Sequence, residues 1–361
     1  MESDSPSSRS NDYMIWWYAF GYFAAYVPYS ALTKALADGL VPGMTGGIAG
    51  FELLPSTAMA SLVGMFAFVS AMGWWKFAGR RKFLGVEFPC PTKWTLLSGF
   101  CTAAIIPTTT LAYTFTGVSI VFMMLLMRGG VLVIAPIVDI FSKRKVRWTS
   151  WVALALALSA LFVGFSGKSF EMTLVAILTV AIYLAAYFVR LRFMTRLAKS
   201  NDPDAKKRYF VEEQMVATPV LVLMLLLTGG MGTSAVAAST WSGFTGFFSQ
   251  PSLIVLIAIS IGLFSQGTGI FGGLVLLDKR ENTFCVPVNR ASSVLAGLAA
   301  TLALWFFADK KFPSNPELLG ALIIIGAIAV LSAPSLMENR RAPAIRNEKR
   351  PLPDRLAIIA D

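Results

Sequence analysis

Long apolar runs separated by short polar loops recur along nearly all of the 361 residues. A helix needs about 20 residues to cross ~30 Å of hydrocarbon, and the runs are long enough for this. Their bounds are 14–36, 54–75, 94–114, 118–141, 148–166, 172–194, 213–230, 252–276, 283–307 and 317–336. The pattern predicts an all-α integral membrane protein with ten transmembrane helices.

The composition agrees with a membrane protein. Hydrophobic residues make up 56% of the chain and charged residues 14%, whereas soluble domains are about 25% charged. The first apolar run is too long for a removable signal peptide and lacks a small-residue cleavage site, so we expect it to remain as the first helix. Residues 1–13 and 337–361 are predicted to be the two terminal tails.

The net charge of +11 raises the question of a nucleic-acid partner, but the positive-inside rule explains most of it. With the N-terminus in the cytoplasm, most lysines and arginines fall in loops and tails predicted inside. Tryptophans also gather at the predicted cytoplasmic helix ends, where indoles suit the headgroup layer. They are Trp16, Trp17, Trp74, Trp75, Trp94, Trp148 and Trp151. We expect a multi-pass protein of a bacterial inner membrane, surrounded by lipid, with both termini cytoplasmic and no nucleic-acid partner.

The sequence gives little support to an enzyme. It contains no histidine, which removes the usual proton shuttle near neutral pH and a common metal ligand. Cys90, Cys101 and Cys285 lack the spacing of a metal site, and no glycine-rich phosphate loop is present. We expect no catalytic residues, no metal and no cofactor. Glu52 and Asp139 are placed at span ends, and this scarcity of intramembrane acids argues against a proton-driven carrier.

Three cations, Lys34, Arg128 and Arg290, lie inside predicted spans and are not explained by topology. An ionisable group at membrane depth costs from ~2.5 to more than about 10 kcal/mol, so it normally faces the bundle interior or a water-filled cavity. Arg128 is near the middle of the fourth span, too deep to reach the headgroups easily. These cations are the first candidates for ligand binding.

Asp139 follows Arg128 on nearly the same helix face, because eleven steps of 100° return to within ~20°. The rise per residue separates the two by ~16 Å, which rules out a direct pair. Asp139 is predicted to pair instead with Lys143 and Arg144 at the cytoplasmic end. Arg128 then needs another helix, water or a ligand as its partner.

The ninth span repeats part of the fourth. "MRGGVL" around Arg128 and "NRASSVL" around Arg290 each place a basic residue before small residues, which let another backbone approach closely. Because the two helices are five apart, the halves 14–166 and 167–336 would insert in opposite orientations. This is a 5+5 inverted repeat, as found in secondary transporters that bind substrate near the midplane.

The stretch "LAYTFTGVSIVFMMLLMRGGVLVIAPIVDIFSKRKVRWTSWVALALALSALFVGF" combines a "LxYT" helix ending, small residues opening the next helix, a proline within it and a basic turn. It resembles the third-to-fifth helix region of the drug/metabolite transporter superfamily, EamA-like. It departs where that family often has an acidic "LGE", because this chain reads "IFSKRK". The resemblance implies ten helices in two repeats and secondary transport. In phosphate-ester and nucleotide-sugar branches, basic residues on the fourth and ninth helices hold the anionic substrate, at places comparable to Arg128 and Arg290.

A tyrosine stripe runs along the first span. Tyr18, Tyr22, Tyr26 and Tyr29 fall within ~80° of arc. The stripe either packs between helices, with its hydroxyls bonded to neighbours, or forms a cavity wall of aromatic faces and hydroxyl donors. Lys34 lies off the stripe toward the outer end, where it either snorkels outward or contacts a ligand.

Other polar residues within spans are weaker candidates. On the sixth span, Tyr183, Tyr187 and Arg190 repeat the helical spacing, with Arg190 near the cytoplasmic end as an anchor. Gln266 stands out because hydrocarbon cannot satisfy a mid-span amide. The others are either helix-packing contacts or ligand contacts: Thr108–Thr110, Tyr113, Ser265, Thr268 and Asn289.

We expect a carrier that binds a small phosphorylated or carboxylated metabolite between Arg128 and Arg290 and moves it by alternating access. Exchange is favoured, because an empty site would have to reorient with two uncompensated cations. The predicted binding residues are Arg128, Arg290, Lys34, Tyr22, Tyr26, Tyr29, Tyr113, Tyr187, Gln266 and Asn289. The alternatives are an exporter of amphipathic or aromatic compounds, and a lipid scramblase or non-transporting receptor.

Overall fold

A computed structural model describes residues 6–330, apart from 84–85, 116–119, 144–145, 147, 166–173, 200–201, 203 and 328. Over these residues the chain is helical almost throughout. The helices are α1 (Pro6–Ala37), α2 (Gly50–Ala71), α3 (Lys93–Thr114), α4 (Ile120–Phe141), α5 (Trp148–Phe165), α6 (Leu174–Leu197), α7 (Ala205–Met231), α8 (Ala235–Thr245), α9 (Ser252–Leu276), α10 (Asn282–Ala308) and α11 (Asn315–Ala327). Short 3-10 helices span Trp74–Phe77 and Phe247–Ser249.

Strand structure is confined, in the described residues, to one hairpin between α2 and α3. Strand β1 (Arg80–Phe83) pairs antiparallel with β2 (Val86–Pro89), with Arg80 opposite Pro89. The hairpin has charged side chains, which pair with one another. Glu87 lies 3.7 Å from Arg80 and 3.6 Å from Lys82.

The helices have the length and surface expected in a lipid bilayer. Within the described residues, six of them, α2, α3, α6, α7, α9 and α10, are long and apolar enough to cross a membrane. Large apolar side chains are exposed along α9, among them Leu253, Leu256 and Leu263. A water-soluble protein rarely exposes so long an apolar surface. The chain is therefore an all-α protein of the membrane-embedded type.

The helix boundaries differ from the apolar runs, and both α1 and α7 begin earlier than predicted, at Pro6 and Ala205. Thr92 accepts a hydrogen bond from the Thr95 amide at the start of α3, as an N-cap residue does. Helix α1 begins at Pro6, so part of the tail predicted over 1–13 is helical. Residues 331–361, including the predicted C-terminal tail, lie outside the described residues.

The helices pack in two matching sets. Helix α1 packs along α9 and α10, and α6 packs along α3 and α4. Helix α2 packs on α9, and α7 packs on α3. Glycines permit both close approaches: a Cβ on Gly262 of α9 would lie 2.4 Å from the Thr57 carbonyl oxygen of α2, and one on Gly99 of α3 would lie 2.6 Å from Val216 of α7. Helices α4 and α10, which carry the two mid-span arginines, also pack together.

Candidate functional site

A cavity lies within the helical bundle. Of the residues predicted to bind a ligand, seven line it: Tyr22, Tyr26, Tyr29, Arg128, Tyr187, Gln266 and Asn289. Hydroxyl and amide side chains from α2, α3, α7 and α9 complete a wall that is polar for a membrane interior. The lining includes Ser61, Thr102, Thr109, Gln214, Ser265 and Thr268.

Arg128 on α4 is buried in this wall, with 2% of its surface exposed. Its Nη1 donates to the Tyr183 hydroxyl and its Nη2 to the Tyr26 hydroxyl. The guanidinium carbon lies 5.4 Å from the ring centre of Tyr26 and 5.1 Å from that of Tyr183, within cation–π range. In the described part of the chain, its Nε has no partner. The hydrogen bonds of this charge in the wall are therefore to neutral hydroxyls.

Helix α4 can present Arg128 in this way because it lies close to α6. A Cβ on Gly130 would lie 2.6 Å from the end of the Leu184 side chain, so a larger residue would require that side chain to move. The close approach brings the α6 tyrosines within reach of the guanidinium.

Arg290 on α10 is also buried, with 1% of its surface exposed. Its Nη1 donates to the Tyr183 hydroxyl at 2.9 Å, and its guanidinium carbon lies 4.5 Å from the ring centre of Tyr187. Among the described residues, its Nε and Nη2 have no hydrogen-bond partner. Arg290 does not itself line the cavity over those residues, but it stands behind Tyr187, which does. Arg128 and Arg290, the two predicted cations, thus donate to the same hydroxyl group, that of Tyr183.

Arg190 lines the cavity and is paired with Glu213 of α7. Its Nε donates to Glu213 Oε1 at 2.8 Å and its Nη2 to Oε2 at 2.7 Å, a bidentate geometry. Ser98 and Tyr209 also donate to Oε1 of the carboxylate, at 2.6 Å and 3.1 Å. The interpretation of Arg190 as an anchor in the headgroup layer is wrong, because both partners are buried.

Two buried acids on α7 were not considered in the sequence analysis. Helix α7 begins at Ala205, so Glu212 and Glu213 lie about two turns inside it, both buried. Glu212 accepts hydrogen bonds from the Gly79 and Thr92 amides and from the Thr95 hydroxyl. It therefore holds the start of α3. The sequence does contain a signal for these acids, since Glu212 and Glu213 directly precede an apolar run. The sequence-based prediction did not use it.

Three members of the predicted tyrosine stripe line the cavity. Successive ring centres of Tyr22, Tyr26 and Tyr29 are 5.1 Å and 5.4 Å apart, edge to face. Tyr113 lies behind them and donates its hydroxyl to that of Tyr26 at 2.9 Å. Tyr18 packs in a separate apolar cluster around Ile15 and Val288. The stripe combines both interpretations, because it packs between helices and also faces a cavity.

Several polar atoms in the cavity wall have no hydrogen-bond partner among the described residues. Asn289 donates to the Gly272 carbonyl oxygen at 3.1 Å, yet its Oδ1 has no partner within the described ranges. The same holds there for the Gln266 amide nitrogen and the Thr102 hydroxyl. Sequence reasoning did not single out Thr102. Its signal is the spacing of Ser98, Thr102 and Thr109, which places three hydroxyls on one face of α3.

Lys34 lies away from the cavity. It is buried and donates to the Phe115 carbonyl oxygen at 3.0 Å, at the end of α3. It also lies 3.3 Å from Asp38, whose other carboxylate oxygen is 3.1 Å from Lys310. Lys34 therefore neither snorkels outward nor contacts the arginines within the described residues. It belongs to an ion cluster that ties α1 to the loop after α10.

Asp139 caps α10. Its Oδ1 accepts from the amide and side chain of Asn282 at 3.3 Å and 2.8 Å, and its Oδ2 from the amide and hydroxyl of Thr283 at 2.9 Å and 3.0 Å. The predicted pair with Lys143 is wrong, since Lys143 is not among its partners over the residues that the structure describes. Arg144 lies outside those residues. A carboxylate at a helix N-terminus is favoured by the exposed amides and by the helix dipole.

Comparison with known proteins identifies a shared fold but not a family or a function. No known family model matches the chain, and no curated protein matches it. One solved structure, described as "Crystal structure of protein", matches with a TM-score of 0.50 at 14% sequence identity, covering 88% of this chain and 96% of that one. A likeness at this identity shows the fold alone. The helical arrangement is therefore shared with a protein of known structure. What the cavity binds has to be inferred from the residues that line it in this chain.

Proposed function

We propose that the protein is a secondary transporter of small anionic metabolites, phosphorylated or carboxylated, that bind beside Arg128 and Arg290. The observation that carries this proposal is the pair of buried guanidiniums whose hydrogen bonds run to tyrosine hydroxyls. One of the two lines an interior cavity. An anion in that cavity would supply the countercharge.

The energetics favour a charged ligand. A buried charge is costly unless it is paired and hydrogen-bonded, and a neutral hydroxyl answers only part of that need. Arg190 differs, because Glu213 already neutralises it. Arg128 and Arg290, which no carboxylate among the described residues neutralises, would attract an anion strongly in a low-dielectric cavity. Guanidinium groups also match the planar, multidentate geometry of carboxylate and phosphate oxygens.

The architecture that we propose is ten spans in a 5+5 inverted repeat. The matched packing supports it: α1 on α9 and α10 corresponds to α6 on α3 and α4, and α2 on α9 corresponds to α7 on α3. In this scheme Arg128 and Arg290 are on the fourth and ninth spans. That layout agrees with the resemblance to the drug/metabolite transporter superfamily. It also suits alternating access, in which one repeat moves against the other around a central site.

Exchange is the mode of transport that this charge arrangement favours. A loaded site moves with its cations neutralised, whereas an empty site would carry them across a low-dielectric barrier. We assign both termini to the cytoplasmic side of a bacterial inner membrane, because lysines and arginines are concentrated in the loops on that side.

A second candidate is an exporter of aromatic or amphipathic compounds. The observation in its favour is the aromatic wall formed by Tyr22, Tyr26, Tyr29 and Tyr187, on which a flat ligand could stack. In this case the hydrogen bonds and cation–π contacts with tyrosines would be enough to stabilise the buried arginines, without a bound anion. A lipid scramblase, the third class, gains no specific support from an interior cavity.

Counterflow in proteoliposomes tests the proposal. Vesicles loaded with an unlabelled phosphate ester or dicarboxylate should take up the labelled compound, and Arg128→Gln should abolish this uptake while the protein still folds. Lys34→Gln is the matched control, because it removes a buried cation outside the cavity and leaves Asp38 paired with Lys310. Uptake by Arg128→Gln at the wild-type rate would refute the proposal. Uptake of aromatic cations, unaffected by that variant, would favour the second candidate.

A further inference from the structure

The cavity wall contains a second group of unpaired polar atoms, on helices that do not carry the two unneutralised arginines. Gln266 is on α9 and Thr102 on α3, whereas Arg128 and Arg290 are on α4 and α10. Both polar residues line the cavity and each is 5% exposed. Over the described residues, the amide nitrogen of Gln266 and the hydroxyl of Thr102 have no hydrogen-bond partner.

Neighbouring hydroxyl groups in the wall do have hydrogen-bond partners within the protein. Ser61 donates to the Gly262 carbonyl oxygen at 2.6 Å, and Thr109 donates to the Ile105 carbonyl oxygen at 2.8 Å. Buried polar groups are nearly always paired in this way. The unpaired state of Gln266 and Thr102 is therefore a departure from the local pattern, and a ligand that enters the cavity would remove it.

The space beside Gln266 is also open. Gly269 lies almost one turn further along α9 and lines the cavity, and a Cβ built on it would meet nothing described within 4 Å. The cavity continues from Gln266 past this glycine to Gly272 and Gly273, which also line it. A ligand held at the arginines thus has room to extend along α9.

We infer that Gln266 and Thr102 form a second subsite, which takes an uncharged hydrogen-bonding group of the ligand. This inference rests on the proposed function, in which the anionic group is held at the arginines. Neither side chain carries charge, so the subsite suits a hydroxyl, carbonyl or amide. It would not compensate an ammonium or a second acid. The ligand is then an anion with a polar, neutral end.

Thr218 on α7 provides a matched comparison. It is fully buried and, in the described part of the chain, its hydroxyl has no partner. It does not line the cavity, as far as the described residues extend. Thr218→Val and Thr102→Val therefore make the same chemical change at an unpaired hydroxyl, once outside the cavity and once inside it.

Two pairs of probes test the subsite by calorimetry on the purified full chain. Each pair shares its acid and differs in hydroxyls: glycerol 3-phosphate against propyl phosphate, and glycerate against propionate. We expect the hydroxylated member of a pair to bind the wild type about tenfold more tightly, as one added hydrogen bond would give. Gln266→Leu and Thr102→Val should each bring that ratio close to one, because they weaken binding of the hydroxylated probe and not that of propyl phosphate. Thr218→Val should keep the wild-type ratio.

The outcomes separate the two proposals. If the wild type binds both members of a pair equally, or if the ratio survives in Gln266→Leu and Thr102→Val, the subsite is refuted while anion binding stands. If no probe binds the wild type, or if Arg128→Gln binds them as the wild type does, the proposed function fails and the subsite fails with it. Should Gln266→Leu not fold, Gln266→Met and Thr102→Val answer the same question.

Discussion

Arg128 and Arg290 donate to the same acceptor, the hydroxyl oxygen of Tyr183. A hydroxyl oxygen has two lone pairs, so it can accept one hydrogen bond from each arginine. The acceptor between the two cations is therefore a neutral atom. An anion between the guanidiniums would offer more acceptors and the opposite charge. Tyr183 therefore holds the arginines together in the structure without neutralising them.

Removing this shared acceptor separates its structural role from ligand binding. Tyr183→Phe keeps the ring and deletes the oxygen, which should lower stability by about 1–3 kcal/mol because buried donors lose their partner. A bound anion can replace that acceptor, so the rise in melting temperature on adding phosphate should be at least as large as in the wild type. Tyr113→Phe, which removes a hydroxyl bonded only to Tyr26 among the described residues, is the control. A loss of the phosphate effect in Tyr183→Phe alone would mean that the hydroxyl is itself part of the anion site.

The pair of Arg190 and Glu213 should behave as one unit. Breaking a buried ion pair by removing one partner costs about 3–5 kcal/mol, because it leaves an uncompensated charge. Arg190→Gln and Glu213→Gln should each lower stability by such an amount, and the double variant should lose less than their sum. Thermal unfolding in detergent measures the cycle. The exposed pair of Arg80 and Glu87 is the reference, where loss of one partner should cost no more than about 1 kcal/mol. Additive losses at the buried pair would contradict this coupling.

The sequence predicted an all-α, membrane-embedded chain correctly, because hydrophobicity accumulates along the chain and needs no tertiary information. The cost of burying a charge predicted that Arg128 faces the bundle interior or a cavity, and it lines the cavity. The ion pair of Lys34 with Asp38 has helical i, i+4 spacing and could have been predicted. The pair of Arg190 with Glu213 could not, since it depends on how α6 and α7 meet.

Two misplaced residues show where reasoning from neighbours in sequence fails. Asp139 was assigned to Lys143 and Arg144, but its partners among the described residues come from α10, more than 140 residues later. Tyr183 was named on the sixth span without being included in the site, although it touches both arginines. Its position depends on the close approach of α4 and α6 at Gly130, which only the packed structure reveals.

The cap formed by Asp139 should be worth a measurable part of the stability. Asp139→Ala removes an acceptor for two backbone amides and two side chains at the start of α10. Loss of a cap and of hydrogen bonds to a charged group predicts a cost of about 1–3 kcal/mol. Hydrogen exchange should accelerate at the amides of Asn282 and Thr283. Exchange there at the wild-type rate would show that the cap does not hold this helix end.

Filling the cavity tests whether the ligand occupies it at all. Gly269 lines the cavity and faces open space, since a Cβ there meets no described atom within 4 Å. Gly269→Leu should therefore fold and be as stable as the wild type, with a gain of up to about 1 kcal/mol from helix propensity. Its side chain would occupy ligand space, so phosphate-ester binding should weaken by about tenfold or more. Gly326→Leu makes the same change at another open position on α11, away from the cavity lining described, and should bind normally. Equal binding by both variants would place the ligand outside this cavity, because a leucine cannot be added to an occupied volume without displacing its contents.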